Sequence, residues 1–145
     1  MTIQKLKDLI EEEGIERSFL YKDFECLVMR VRPETSGHLC GYIKIPETHF
    51  FHGKNYDDIE RIYDYEIPSH GGLTFSGELN GRDGYWIGFD CAHSGDLIPR
   101  LPDDDLETFI MYGDVYRDLN YVMETLREMI DFIESRNLSM KGGNS

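Results

Sequence analysis

Apolar residues recur at helical spacing near both ends of this chain and at strand spacing in between. Close to the start, Leu6, Leu9 and Ile10 share one face of an amphipathic stretch from Ile3 to Glu13. Thr2 is placed to cap that helix and Gly14 to end it. Towards the other end, Val115, Leu119, Val122, Leu126, Met129, Ile130 and Ile133 fall on one stripe. The stripe predicts a long helix from Asp114 to Arg136. The whole reads as one domain over residues 1–137 followed by a flexible tail over 138–145.

The middle of the chain alternates. Phe24 to Arg32 is rich in strand formers and stops at Pro33, and His38 to Ile45 stops at Pro46. With the turn Glu34-Thr35-Ser36-Gly37 between them, these segments predict an antiparallel hairpin. Residues 47–64 carry little periodicity, although Asn55 to Ile59 allows one helical turn, and a short strand is expected from Tyr63 to Ile67. Leu73 to Glu78 and Tyr85 to Cys91 form a second hairpin, joined through Asn80-Gly81 and Asp83-Gly84. On its second strand Trp86 and Gly88 point to one face, and Tyr85, Ile87 and Phe89 to the other. Leu97 to Asp105, with two prolines and three consecutive aspartates, reads as a loop. The expected fold is α+β: an antiparallel sheet with a short N-terminal helix and a long C-terminal helix packed on one face.

Composition narrows the function classes. Hydrophobic residues make up 40% and charged residues 30% of the 145, which suits one packed core rather than disorder. No apolar run approaches the roughly 20 residues that span a bilayer. The first residues run straight into charge without the apolar centre of a signal peptide, so a cytoplasmic protein is expected. The 28 acidic residues outnumber the 15 basic ones, giving a formal charge of −13. That excess argues against direct binding to nucleic acid or anionic membranes. It describes either a solvated surface or one that mimics a phosphate backbone and occupies a protein partner.

Cys26, Cys40 and Cys91 are widely spaced and contain no C-x-x-C pair, which argues against a disulfide framework or a zinc knuckle. No cofactor and no metal is expected. Cys26 and Cys40 sit in apolar runs as small hydrophobes, whereas Cys91 has charged, imidazole and glycine neighbours.

The candidate chemistry lies in two glycine-bounded segments flanking the second hairpin. The first holds His70, Gly71, Gly72, Thr74 and Ser76, and the second holds Asp90, Cys91, His93 and Asp96, with Trp86 on the strand between. Paired glycines let the backbone take positive φ and turn N–H groups towards an anion, with Thr74 and Ser76 adding hydroxyls. A plain bend with an exposed histidine is the alternative. Cys91 two residues from His93 could serve as a nucleophile with a base, or the pair could join distant His49, His52 or His70 around zinc. Hydrogen bonding by Asp and His to sugar or base groups, with aromatic stacking, is the reading these residue types favour. An antiparallel second hairpin would bring His70 and the Cys91–His93 stretch to one open end.

At Cys40-Gly41-Tyr42-Ile43, at His49 with Gly53-Lys54, at His70-Gly71-Gly72-Leu73-Thr74-Phe75-Ser76-Gly77 and at Trp86-Ile87-Gly88-Phe89-Asp90-Cys91-Ala92-His93-Ser94-Gly95-Asp96, the chain resembles a family of small, largely uncharacterised phage and prophage proteins. The resemblance spans residues 38–135 and implies a phage accessory protein acting in the bacterial cytoplasm. Such proteins often counter host defences, for instance by sequestering a nucleotide signal. The expected function is therefore capture of a small nucleotide-like molecule without turnover. The alternatives are a hydrolase or transferase built on Cys91 and His93 or on a bound metal, and an acidic protein that blocks a host protein. A homo-oligomer through the C-terminal helix remains compatible with the pattern.

Overall fold

A computed structural model describes residues 1–143, with side chains to residue 136, so the tail expected over 138–145 lies outside the fully described residues. The strands are β1 (Glu16–Tyr21), β2 (Phe24–Arg30), β3 (Leu39–Ile45), β4 (Phe75–Gly77) and β5 (Tyr85–Asp90). They form one sheet in the order β1-β2-β3-β5-β4, antiparallel at every junction. The helices are α1 (Ile3–Glu13), α2 (Tyr56–Ile62), α3 (Asp103–Met111) and α4 (Leu119–Gly143). The fold is α+β, with α4 laid across β2 and β3.

Side-chain alternation explains the two sheet faces. Cys26 and Val28 of β2, Ile43 and Ile45 of β3, and Ile87 and Phe89 of β5 join Val122, Leu126, Met129, Ile130 and Ile133 of α4 in one buried core. Gly41 makes that contact possible, because a Cβ there would stand 2.9 Å from both Phe89 Cζ and Val122 Cγ1. The opposite face carries Leu27, Cys40, Tyr42, Trp86 and Asp90, placed by the pairings Leu27↔Tyr42, Cys40↔Asp90 and Lys44↔Trp86. Gly88 lies on this face, where a Cβ would fall 2.4 Å from Tyr42 Cδ1. The tyrosine ring therefore lies over the β5 backbone.

A second cluster joins Leu6 of α1 and Leu106 of α3 to Leu97 and Tyr116. A buried ion pair binds this cluster to the sheet: Arg30 Nη2 meets Glu13 Oε1 at 3.0 Å, with the side chains 1% and 6% exposed. The other Arg30 donors reach the carbonyls of Gly14 and Gly37 and the Tyr116 hydroxyl. Glu13 also accepts from the Tyr116 hydroxyl and from the backbone N–H of Leu119. It thereby holds the start of α4.

Several local expectations differ from the structure. No strand runs from Tyr63 to Ile67, because Asp64 and Tyr65 take φ of 54° and 60°, in the left-handed region that breaks an extended run. The aspartates 103–105 are the first turn of α3 rather than a loop, where their charges complement the helix dipole. α4 begins at Leu119, not Asp114: Asp118 Oδ1 accepts from the N–H of Tyr121, as an N-cap does. Val115 consequently leaves the apolar stripe, bridges to Asp96 and is 48% exposed. β2 stops at Arg30, two residues before the expected end. β1 is an edge strand with mostly exposed side chains, so its apolar period is faint in the sequence. Lys22 and Asp23 turn the chain into β2 with φ of 49° and 68°, a primed hairpin turn without its usual glycine.

Candidate functional site

The β4–β5 register, Phe75↔Gly88 to Gly77↔Trp86, extends by the bond from the N–H of Thr74 to the carbonyl of Gly88. The chain entering β4 and the chain leaving β5 therefore lie side by side. Gly71 rests against His93 so closely that a Cβ at 71 would stand 2.7 Å from the ring's Cδ2 and Nε2. Both Gly71 and Gly72 take positive φ, 73° and 90°, which explains the glycine pair directly. The His70 and His93 rings are 5.6 Å apart between centroids.

Asp96 organises this end of the sheet. Its carboxylate, 1% exposed, accepts from His70 Nε2 at 2.8 Å, from Arg117 Nε at 2.9 Å and from the backbone N–H of His93 at 2.9 Å. Burial opposes its ionisation, but the hydrogen bonds from His70, the His93 backbone and Arg117 outweigh burial and hold its carboxyl below the ordinary value. Asp96 can only accept, so the His70 proton sits on Nε2 in the neutral ring, and Nδ1 accepts from the Tyr121 hydroxyl at 2.7 Å. The Tyr121 ring meets His70 edge-on and carries the Arg117 guanidinium 5.0 Å from its centroid. Both nitrogens of His70 are thus engaged.

Asp90 lies one step further out, at the end of β5. Thr74 Oγ1 donates to its Oδ2 and the N–H of Ala92 to its Oδ1, each at 3.1 Å. His93 Nε2 stands 3.5 Å from Oδ1. Beside Asp90 an open depression of about 530 Å³ is lined by His38, Cys40, Tyr42, Thr74, Phe75 and Phe89, among others. The Tyr42 and Phe75 rings meet edge to face in its wall, with centroids 5.5 Å apart. Burial keeps His38 below the ordinary imidazole value, favouring the neutral ring. Among the described residues, His38 Nδ1, Glu60 Oε1, Ser69 Oγ and His93 Nε2 are buried without a hydrogen-bond partner. Ser69 belongs to the glycine loop itself, His93 lies against Gly71, and Glu60 Oε2 would be 3.8 Å from a Cβ at Gly72.

The remaining expected residues stand apart. Ser76 accepts from the N–H of Tyr56 and ties β4 to the start of α2. Trp86 donates its indole N–H to the Asp83 carbonyl and lines a different groove with Leu27, Lys44 and Arg82. Cys91 is 2% exposed within the main core, and burial raises its thiol well above the ordinary value. That setting opposes a thiolate nucleophile. His49 packs on Phe50 and Phe51, and His52 lies 5.2 Å from the Tyr85 ring. Among the described residues, no three His, Cys, Asp or Glu side chains gather as a metal-holding group.

Sequence reasoning missed Arg117, Tyr121, His38, Tyr42 and Glu60. Within the helix expected from Asp114, the four-residue spacing of Arg117 and Tyr121 puts both on one face, although in the structure Arg117 precedes α4. Nothing in the chain order connects His38 or Glu60 with His93. No family model, curated protein or solved structure matches the chain.

Proposed function

We propose that this is a phage-encoded protein of the bacterial cytoplasm that captures a small nucleotide-like molecule without turning it over. The observation that carries the reading is the depression beside Asp90, where two aromatic rings and a hydrogen-bonding carboxylate share one wall. Flat rings next to fixed polar groups suit a planar heterocycle with hydrogen-bonding edges. Asp90 accepts hydrogen bonds from Thr74 and from the N–H of Ala92, so it is oriented before any ligand arrives.

Capture is favoured over catalysis by how the reactive side chains are used. His70 is spent on Asp96 and Tyr121, and Cys91 is a buried, protonated thiol. Neither is presented as a base or nucleophile towards the depression. The acidic surface disfavours binding through phosphate alone and shifts the weight to recognition of base and sugar. Among the described residues no helix is long and apolar enough to cross a membrane.

Isothermal titration against mononucleotides and cyclic nucleotides tests this reading, with the ligand recovered and checked for integrity. Saturable binding with intact ligand is the expected result. Consumption of the ligand would move the protein to the enzyme class. Failure to bind any nucleotide would end the proposal.

A further inference from the structure

Resting on that reading, we infer that the depression selects a guanine-type base, with the Asp90 carboxylate accepting the two adjacent N–H donors of its edge while the ring lies against Tyr42 and Phe75. Asp90 is about one-third exposed, so its carboxylate reaches the open side of the site. Each oxygen already takes one hydrogen bond, Oδ2 from Thr74 and Oδ1 from the N–H of Ala92. A carboxylate oxygen accepts more than one bond, so each keeps acceptor capacity. Two parallel acceptors with a fixed plane match two adjacent donors on one rigid ring, as a carboxylate matches a guanidinium.

Among the common bases, guanine offers that pair through its ring N–H and its neighbouring amino group. Adenine and cytosine place a bare ring nitrogen beside their amino group, so one carboxylate oxygen would face a lone pair. Uracil has a single ring N–H between two carbonyls. A site built to receive a hydrogen-bond donor rejects the analogue lacking it far more strongly than an apolar pocket rejects a change in size. The flat surface for the base comes from the same face of the sheet. Gly88 has no side chain there, so the Tyr42 ring lies over β5 with Phe75 at its edge.

Titration of the full chain with GMP, IMP, AMP and 2′-deoxy-GMP decides the matter. IMP keeps the ring N–H but lacks the amino group. The expected order is GMP tightest, IMP intermediate and AMP weakest, with roughly 100-fold between GMP and AMP. 2′-Deoxy-GMP should match GMP. Asp90→Asn should remove the preference for guanine, and Tyr42→Leu should weaken all the ligands alike, with each variant's melting temperature showing that it is folded. Equal affinity for GMP and AMP would overturn the inference while leaving nucleotide capture standing. A sharp loss with 2′-deoxy-GMP would overturn it too, by assigning Asp90 to the ribose diol. Binding of none of them would overturn the guanine inference, and failure of the cyclic nucleotides and the remaining mononucleotides as well would overturn nucleotide capture.

Discussion

Gly71 and His93, brought together by the β4–β5 hairpin, are in such close contact that glycine is the one residue that fits at 71. A Cβ there would stand 2.7 Å from the imidazole, and the backbone φ of 73° already disfavours any side chain. Gly71→Ala should therefore cost about 1 kcal/mol or more from the left-handed backbone alone. It should also push the His93 ring away from Asp90. Urea denaturation and nucleotide titration of this variant should show both lower stability and weaker binding. A fully wild-type variant would mean that the loop is free of the ring in solution.

Asp96 ties acid stability to the site. Its carboxyl titrates below the ordinary aspartate value in the folded protein, despite burial, because His70, the His93 backbone and Arg117 favour the charged form. The stabilisation is present above the unfolded value of about 4 and is lost as pH falls through the lower folded value. Asp96→Asn should flatten the pH dependence of stability below about pH 4. At neutral pH it should cost about 1–3 kcal/mol, because the partly exposed Arg117 can turn to water while buried donors lose an acceptor. Chemical denaturation of both proteins between pH 3 and pH 7 provides the comparison.

The Arg30–Glu13 pair is a clasp between the two clusters, and it should behave as a buried ion pair rather than a surface one. Arg30→Met leaves Glu13 buried with a missing donor and should lose about 3–5 kcal/mol. Arg30→Met combined with Glu13→Gln should recover part of that loss, since no uncompensated charge is left behind. A double-mutant cycle by urea unfolding measures the coupling.

All three cysteines should resist alkylation until the protein unfolds. Burial pushes Cys26 up to about 12 and Cys40 up to about 11, and it raises Cys91 as well. Iodoacetamide labelling at pH 8, followed by mass spectrometry, should give slow modification that accelerates in urea. Fast, selective modification of Cys91 in the folded protein would return it to consideration as a nucleophile.

Much of the frame was legible from local pattern. The apolar stripe of α4 and the alternation in β2, β3 and β5 follow from periods of 3.6 and 2 that leave a residue trace. The Asn-Gly and Asp-Gly turn placed the β4–β5 hairpin, and with it the approach of His70 to His93. β1 and α3 were missed for one physical reason: both present mostly exposed side chains, so burial imposes little pattern on them. Of the candidate residues, Thr74 and Asp90 line the cavity, while His70, Gly71, His93 and Asp96 gather beside it. Ser76 pairs with Ile87 on the other face of the sheet and Cys91 points into the core, because alternate residues of a strand face opposite ways. Trp86 shares the face of Asp90 but lies four residues back along β5, in a different groove.

The sequence by itself determined that the two glycine-bounded segments would meet, since a short antiparallel hairpin leaves its flanking chains no other course. Only the tertiary structure decided which groups meet them there. Tyr121 and Arg117 reach His70 and Asp96 because α4 crosses the sheet where Gly41 lets it approach. Tyr42 joins Asp90 because β3, some 45 residues earlier, pairs beside β5. Hairpin contacts are written in neighbouring residues and can be read from them. Contacts between distant elements follow from how the buried faces pack, and no single stretch of chain carries that information.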